Sequence, residues 1–199
     1  MCIRDSHLVR EIAGEGLALE TFIAAFLPEE TKDALFHYVE SLRGFLRGVR
    51  WEPREKFHVT LRFLGDVDES RLAGISTDIG SMVFGSGHVQ SGFSDLRLFP
   101  GSKNPRVLAL SLMKSERFQF LFNKIQRAIL QNGFEMERRK FIPHVTIGRI
   151  KGSFEGIEKI PRLDETEFSI IRIGLVLSEL GPRGSRYTIL KTWDLQDGI

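Results

Sequence analysis

Two short stretches hold residue types that can do chemistry together: His58-Val59-Thr60-Leu61 and His144-Val145-Thr146-Ile147. On a strand, residues two apart share a face. His58 and Thr60 then point one way, while Val59 and Leu61 point into a core. His144 and Thr146 do the same against Val145 and Ile147. Pro143 has no N–H to donate, which fits the start or edge of a strand. Two imidazoles facing each other across a groove suit phosphoryl transfer, because an in-line displacement has its attacking and leaving oxygens on opposite sides of phosphorus. One imidazole takes a proton from the nucleophile and the other gives one to the leaving group. An unperturbed pKa of about 6.5 suits histidine to both tasks. The Thr60 and Thr146 hydroxyls can donate to the non-bridging phosphate oxygens, where charge accumulates. These steps call for no metal or cofactor, and a zinc site on the two histidines lacks an evident third ligand. The chain has no Gly-x-Ser-x-Gly elbow and no Walker loop.

The elements that must position these residues come in a repeat. Thr21–Leu27 reads as a buried strand. Pro28-Glu29-Glu30-Thr31 opens a helix carrying Leu35, Tyr38, Val39, Leu42, Phe45 and Leu46 at helical spacing. Lys56–Gly65 is the strand that bears the first motif. The order returns as a strand over Val107–Leu112, a helix over Phe118–Leu130 stopped by Asn132-Gly133, and a strand over Phe141–Ile147. An offset of 86 residues carries His58 onto His144, Phe22 onto Leu108 and Val39 onto Ile125. This is a duplicated strand–helix–strand unit rather than a solenoid. Further elements are a helix over Leu72–Val83 and strands over Val89–Leu98, Glu167–Val176 and Arg186–Leu195. The last two strands are joined by Gly181-Pro182-Arg183-Gly184. The expected fold class is α+β: duplicated units form two pseudo-symmetric lobes, with mainly antiparallel sheets around a central groove.

Composition narrows the function class. The 199 residues are 42% hydrophobic and 27% charged, ordinary for a globular chain, and no run approaches the roughly 18 apolar residues of a membrane span. A formal net charge of +2 argues against coating nucleic acid through bulk charge. That total hides an uneven distribution. Arg43–Arg62 is net +4 and Arg138–Lys151 is net +5, so positive charge gathers around both motifs and the rest of the chain is net negative. Cys2 is the single cysteine, so no intramolecular disulfide forms. Residues Met1 to Glu20 do not read as a secretory signal. Met1-Cys2-Ile3-Arg4-Asp5-Ser6 back-translates to ATG TGT ATA AGA GAC AGx, which resembles a transposon end used in sequencing libraries. Residues 1–18 are therefore expected to be a non-native or disordered extension, with a native start near Val9, Leu17 or Leu19 and a single bilobal domain over 19–199.

Over about residues 20–195 the chain resembles the RNA 2′,3′-cyclic phosphodiesterases, or 2′–5′ RNA ligases, of the two-histidine phosphoesterase superfamily. The resemblance rests on both motifs with their flanks. These are Arg62-Phe63-Leu64-Gly65 after the first, Phe141-Ile142-Pro143 and Arg149 around the second, Phe99-Pro100 with Asn104-Pro105-Arg106-Val107 between them, and Ser185-Arg186-Tyr187 near the end. It implies hydrolysis of a terminal 2′,3′-cyclic phosphate to a 2′-phosphate, with weak reversible 2′–5′ ligation of RNA ends. It also implies roles that the near-identical motifs do not separate: His58 as proton donor to the 3′ oxygen, and His144 as the base that activates water. The implied partner is RNA with a 2′,3′-cyclic phosphate end, such as tRNA-like or other RNA fragments, met by a monomer in the cytoplasm and away from membranes. Two other readings stand beside this one: a relative acting on a small cyclic nucleotide, and a nucleotide-binding module without turnover.

Three further residues are candidates for substrate contact. Arg62 shares the face parity of His58. Arg149 has the opposite parity to His144 and needs a bend or bulge to reach the groove. Phe141 is placed to stack a base. Each has a plainer reading, as surface arginine or core aromatic. Phe22 reads as buried in preference to lining the groove floor, and His7, His37 and His88 as surface or satisfied residues.

Overall fold

A computed structural model describes residues 19–161, 163, 167–181 and 184–196. The expectation for residues 1–18 and the middle of the Gly181–Gly184 turn lie outside them. Among the described residues the order is β1 (Leu19–Phe26), α1 (Glu29–Leu42), β2 (Arg47–Trp51), a 3-10 turn (Arg54–Lys56), β3 (His58–Gly65), α2 (Glu69–Val83), β4 (Val89–Phe99), β5 (Val107–Leu112), α3 (Glu116–Gln131), β6 (His144–Glu155), a second 3-10 turn (Ile157–Lys159), β7 (Glu167–Ile170), β8 (Arg172–Gly181) and β9 (Gly184–Asp194). No helix among them is long and apolar enough to cross a membrane.

The strands form a sheet ordered β7-β4-β5-β6-β3-β1-β8-β9, with β2 added beside β6. Every described pairing is antiparallel. The α+β fold class with duplicated units is therefore what the chain adopts. The two halves meet at the single β3–β6 rung Val59↔Val145 and again where β2 pairs with β6 from Arg47 to Trp51. Alternate residues of the central strands bury into the large core: Ile23 and Ala25, Val59 and Leu61, Leu108 and Leu110, Val145 and Ile147, Ile173 and Leu175. The helices bury residues such as Leu35, Val39, Ile79, Leu121 and Ile125 in the same core. The other face carries a small cluster of Phe22, Ala24 and Val176, with Phe26 and Tyr187 against it. This face is the one that bears the motif histidines.

Three details depart from the sequence reading. The first helix ends at Leu42, where Phe45 and Leu46 both turn back onto the Leu42 carbonyl, and the chain goes on into β2 instead of a longer helix. The strand expected over Glu167–Val176 is two strands: β7 pairs with β4 and β8 with β1. Ile171 alone separates them, so the strand at one end of the path leads directly into the strand next to its other end. The repeat is also inexact. The rung Ala24↔Thr60 corresponds to Ala109↔Thr146, an offset of 85 on the first strand and 86 on the second. Phe22, on the motif face, therefore matches Val107 and not the core residue Leu108.

At the β5–β6 ladder Leu108 pairs with Gly148 and Ala109 with Thr146, which leaves Ile147 as an extra residue on β6. Such a bulge bends the strand and resets its facing. Beside it β2 lies very close: a Cβ on Gly148 would come within 2.4 Å of Val49 Cγ1 and 3.4 Å of the Arg50 carbonyl. Valine has little rotamer freedom to yield there. Gly148→Ala is expected to lower stability by about 1–3 kcal/mol through overpacking, and Val49→Ala added to it is expected to restore part of the loss. Denaturant unfolding of the two variants checks this; full stability of Gly148→Ala would show that β2 is not held as described.

Candidate active site

The two histidines are held by the same device. His58 sits at the start of β3, and its Nδ1 lies 2.6 Å from the Lys56 carbonyl. His144 sits at the start of β6, with Nδ1 2.7 Å from the Ile142 carbonyl. A carbonyl can only accept, so each Nδ1 carries the proton and donates it. Each ring therefore keeps Nε2 as its working nitrogen. His58 Nε2 is 3.1 Å from Thr60 Oγ1. The local backbone explains the device. Phe57, Val59, Val145 and Ile147 are buried, which turns the residues between them to the motif face. The Pro143 carbonyl accepts from the Leu112 N–H and anchors the approach to His144.

Aromatic rings wall both imidazoles. Phe22 stacks on His58 with centroids 5.0 Å apart, and Tyr187 meets it edge-on at 5.6 Å. Phe99 packs against His144 at 4.6 Å. Burial holds the His58 pKa down at about 4; the Lys56 carbonyl and the Glu52 carboxylate oppose the shift without overcoming it. Burial also lowers the His144 pKa, against the pull of the Ile142 carbonyl. Burial raises that of Tyr187, which keeps its hydroxyl protonated.

A cavity of about 560 Å³, counted to its open mouth, is lined by His58, Thr60, Thr146 and Arg149 together with Phe22, Phe63, Tyr187, Lys56, Glu52, Glu20, Ser178 and Ser185. The Ile147 bulge supplies the change of parity that Arg149 needs to reach it. Arg149 Nε donates to Glu52 Oε1 at 3.1 Å. The other two candidates are held elsewhere. Arg62 donates from Nη2 to the Glu135 carbonyl and has Glu137 at 3.7 Å. Phe141 stacks on Phe122 with centroids 4.4 Å apart and packs on the large core. Neither lines the cavity, and of the two motif histidines His58 lines it while His144 does not. Sequence reasoning missed Glu52, Lys56 and Tyr187 as wall residues. Tyr187 comes from the C-terminal hairpin and has no link by spacing to either motif. Glu52 and Lys56 stand four apart around a 3-10 turn that Arg54 fastens to Glu29 and Asp33 on α1. Among the described residues no group of three or more His, Cys, Asp or Glu is arranged to hold a metal ion.

The lowered His58 pKa has a consequence for stability. Between pH 6.5 and about 4 the unfolded chain binds a proton at this position that the folded chain refuses. The stability contributed by neutral His58 is therefore present above pH 6.5 and lost as the pH falls, by up to about 3 kcal/mol. His58→Asn is expected to flatten this part of the stability profile. Denaturant midpoints at pH 7 and pH 4 for both proteins measure the difference; equal slopes would contradict the assignment.

The family model described as LigT-like phosphoesterase matches residues 26–109. The RNA 2′,3′-cyclic phosphodiesterase of Thermotoga maritima is 30% identical over 188 residues, covering 91% of this chain and 98% of the relative. That of Methanocaldococcus jannaschii is 28% identical over 181 residues, covering 88% and 100%. A solved structure from Thermus thermophilus superposes with a TM-score of 0.80 at 27% identity, covering 90% of this chain and all of that one. E. coli LigT in its apo form gives 0.75 at 22% identity, covering 92% and 100%, a likeness of fold.

Proposed function

The chain belongs to the LigT-like phosphoesterase family, whose curated relatives are RNA 2′,3′-cyclic phosphodiesterases, and from that premise we propose that it opens the 2′,3′-cyclic phosphate at RNA ends to leave a 2′-phosphate. The observation that carries the proposal is the pair of histidines. Both are fixed through Nδ1 by a carbonyl two residues upstream, which leaves Nε2 as the nitrogen for proton transfer in each ring, and His58 Nε2 lies beside the Thr60 hydroxyl. In the proposed reaction His144 Nε2 takes a proton from water as its oxygen bonds to phosphorus. The bond from phosphorus to the 3′ oxygen breaks, and His58 Nε2 protonates that oxygen. Thr60 and Thr146 donate to the non-bridging oxygens, and the Arg149 guanidinium faces the charge that develops there. With a ribose hydroxyl in place of water as the nucleophile, the same steps in the same direction give 2′–5′ ligation, and their reversal cleaves that linkage.

The His58 pKa of about 4 bears on how the acid is charged. In the empty cavity His58 is neutral at pH 7, whereas a bound anionic phosphate favours the imidazolium. The substrate thus loads the proton that its own leaving group takes. It follows that kcat/KM, which reports the free enzyme, peaks on the acid side of neutrality, and kcat, which reports the complex, peaks at higher pH. A pH series of both parameters checks the order of the two optima; coincident optima would remove the substrate from this role.

A polynucleotide substrate is favoured over a small cyclic nucleotide by the two basic segments around the motifs. Both histidines come from one chain, which supports action as a monomer, and an RNA-fragment substrate supports a cytoplasmic site of action. The decisive assay uses RNA ending in a 2′,3′-cyclic phosphate, with small cyclic phosphates beside it and the product phosphate mapped. His58→Ala and His144→Ala are each expected to lower turnover by a factor on the order of 10²–10⁴, with a smaller effect on RNA binding and no effect of EDTA on the parent enzyme. Full activity in either variant would refute the mechanism, and a faster rate on small cyclic phosphates would move the substrate class to them.

A further inference from the structure

A carboxylate inside a cavity built for a phosphate opposes the very charge that the site receives, so Glu52 stands out among the wall residues. Its side chain is only 11% exposed, and a buried carboxylate is costly unless paired. It has two cationic partners: Arg149 Nε at 3.1 Å and Lys56 Nζ at 3.8 Å. Its place is set by the backbone, since the Glu52 N–H donates to the Ile147 carbonyl at 2.9 Å, at the bulge that brings Arg149 round. On its other side the chain enters the turn that ends at Lys56. Lys56 holds His58 through its carbonyl and lays its ammonium over the Tyr187 ring at 5.3 Å. One side chain therefore touches both cations of the cavity and lies next to the residue that positions His58.

We infer that Glu52 is a positioning residue for the reaction: it orients Arg149 by the Nε edge, leaving the two terminal amino groups to the phosphate, and its negative charge sustains the proton that His58 delivers. This rests on the two-histidine reading above. The guanidinium has five N–H donors in a fixed fork, and the one spent on Glu52 is Nε–H. The groups that act on His58 come from every side. Lys32 from α1 and His144 from β6 disfavour its charged form. Glu52 favours it, and the cavity also brings in Lys56, Arg149, Glu20 and Tyr187. Burial drives His58 toward neutrality, and Glu52 is a fixed charge of the protein that pushes the other way.

The test is Glu52→Gln, which keeps the size and an oxygen to accept from Arg149 but removes the charge. Glu52→Asp is its conservative partner. Steady-state kinetics on RNA with a cyclic phosphate end, from pH 4.5 to 8.5, are expected to show the kcat optimum of Glu52→Gln displaced to lower pH by about half to one unit. At pH 7 kcat falls about 3–10-fold while KM holds or drops, because the cavity has become more positive. Lowering the His58 pKa shifts the midpoint of the bell in the same direction whichever histidine is the acid. Glu52→Asp retains the parent optimum. An NMR titration of the His58 ring, which needs no turnover, is expected to give a lower midpoint in Glu52→Gln. An unchanged optimum and an unchanged His58 titration overturn the inference. So does a pH-independent loss of kcat with a raised KM, the mark of a purely structural role. Activity retained by His58→Ala would instead defeat the two-histidine reading, so the two failures are told apart.

Discussion

Val59 and Val145 face each other at the one rung where β3 and β6 meet, and both side chains are fully buried. Each valine is flanked by the histidine and threonine of its own motif. The rung therefore sets the separation of the two histidine-bearing faces, while β2 joins the two halves again further along β6. The antiparallel sense matters as well. It runs the motifs past each other head to tail, so each histidine lies toward the threonine end of the other motif. Everything further out, from the helices over the core to the strands at the edges, keeps β3 and β6 in that register.

The constraint explains how much of the molecule was legible in the sequence. Alternation of buried and open residues in His58–Leu61 and His144–Ile147 follows from strand geometry alone, and the same geometry gave the duplication and the two histidine–threonine pairs. What stayed hidden was set by contacts between segments far apart in the chain. β2 is short, holds Gly48 and leaves Arg47 and Arg50 exposed, so Arg47–Trp51 becomes a strand only because β6 offers it an edge. Arg149 reaches the cavity through a bulge that no spacing rule announces. Phe141 is claimed by Phe122 and Phe118 across a helix face, a preference that depends on tertiary packing. The offset of 86 residues puts strand on strand but misplaces the face of β5 by one residue, because the copies differ in length between the first strand and the motif.

Electrostatics in the cavity reflect a conflict between shape and charge. Enclosing His58 between Phe22 and Tyr187 fixes the ring, and that enclosure also strips the water that would support its positive form. Lys56 and Arg149 add positive charge that suits an anionic ligand and works against an imidazolium. A site with only cations and aromatic walls would bind phosphate well and hold a poor proton donor. The chain meets both demands by bringing a carboxylate to the cavity wall from a neighbouring turn, tied at its backbone and paired at its side chain.

The C-terminal hairpin has its own bearing on how the protein comes into being. β8 covers the edge of β1 and β9 brings Tyr187 against His58, yet both strands follow His144 in the chain. During synthesis both histidines emerge while β1, an apolar strand containing Phe22, Ile23, Ala24 and Ala25, still has one edge unpaired. Such an edge is a template for pairing with other chains. The unfinished polypeptide thus passes through a stage that holds both histidines while one edge of β1 is open. Pairing of β8 with β1 closes that edge, and β9 on β8 then carries Tyr187 to His58.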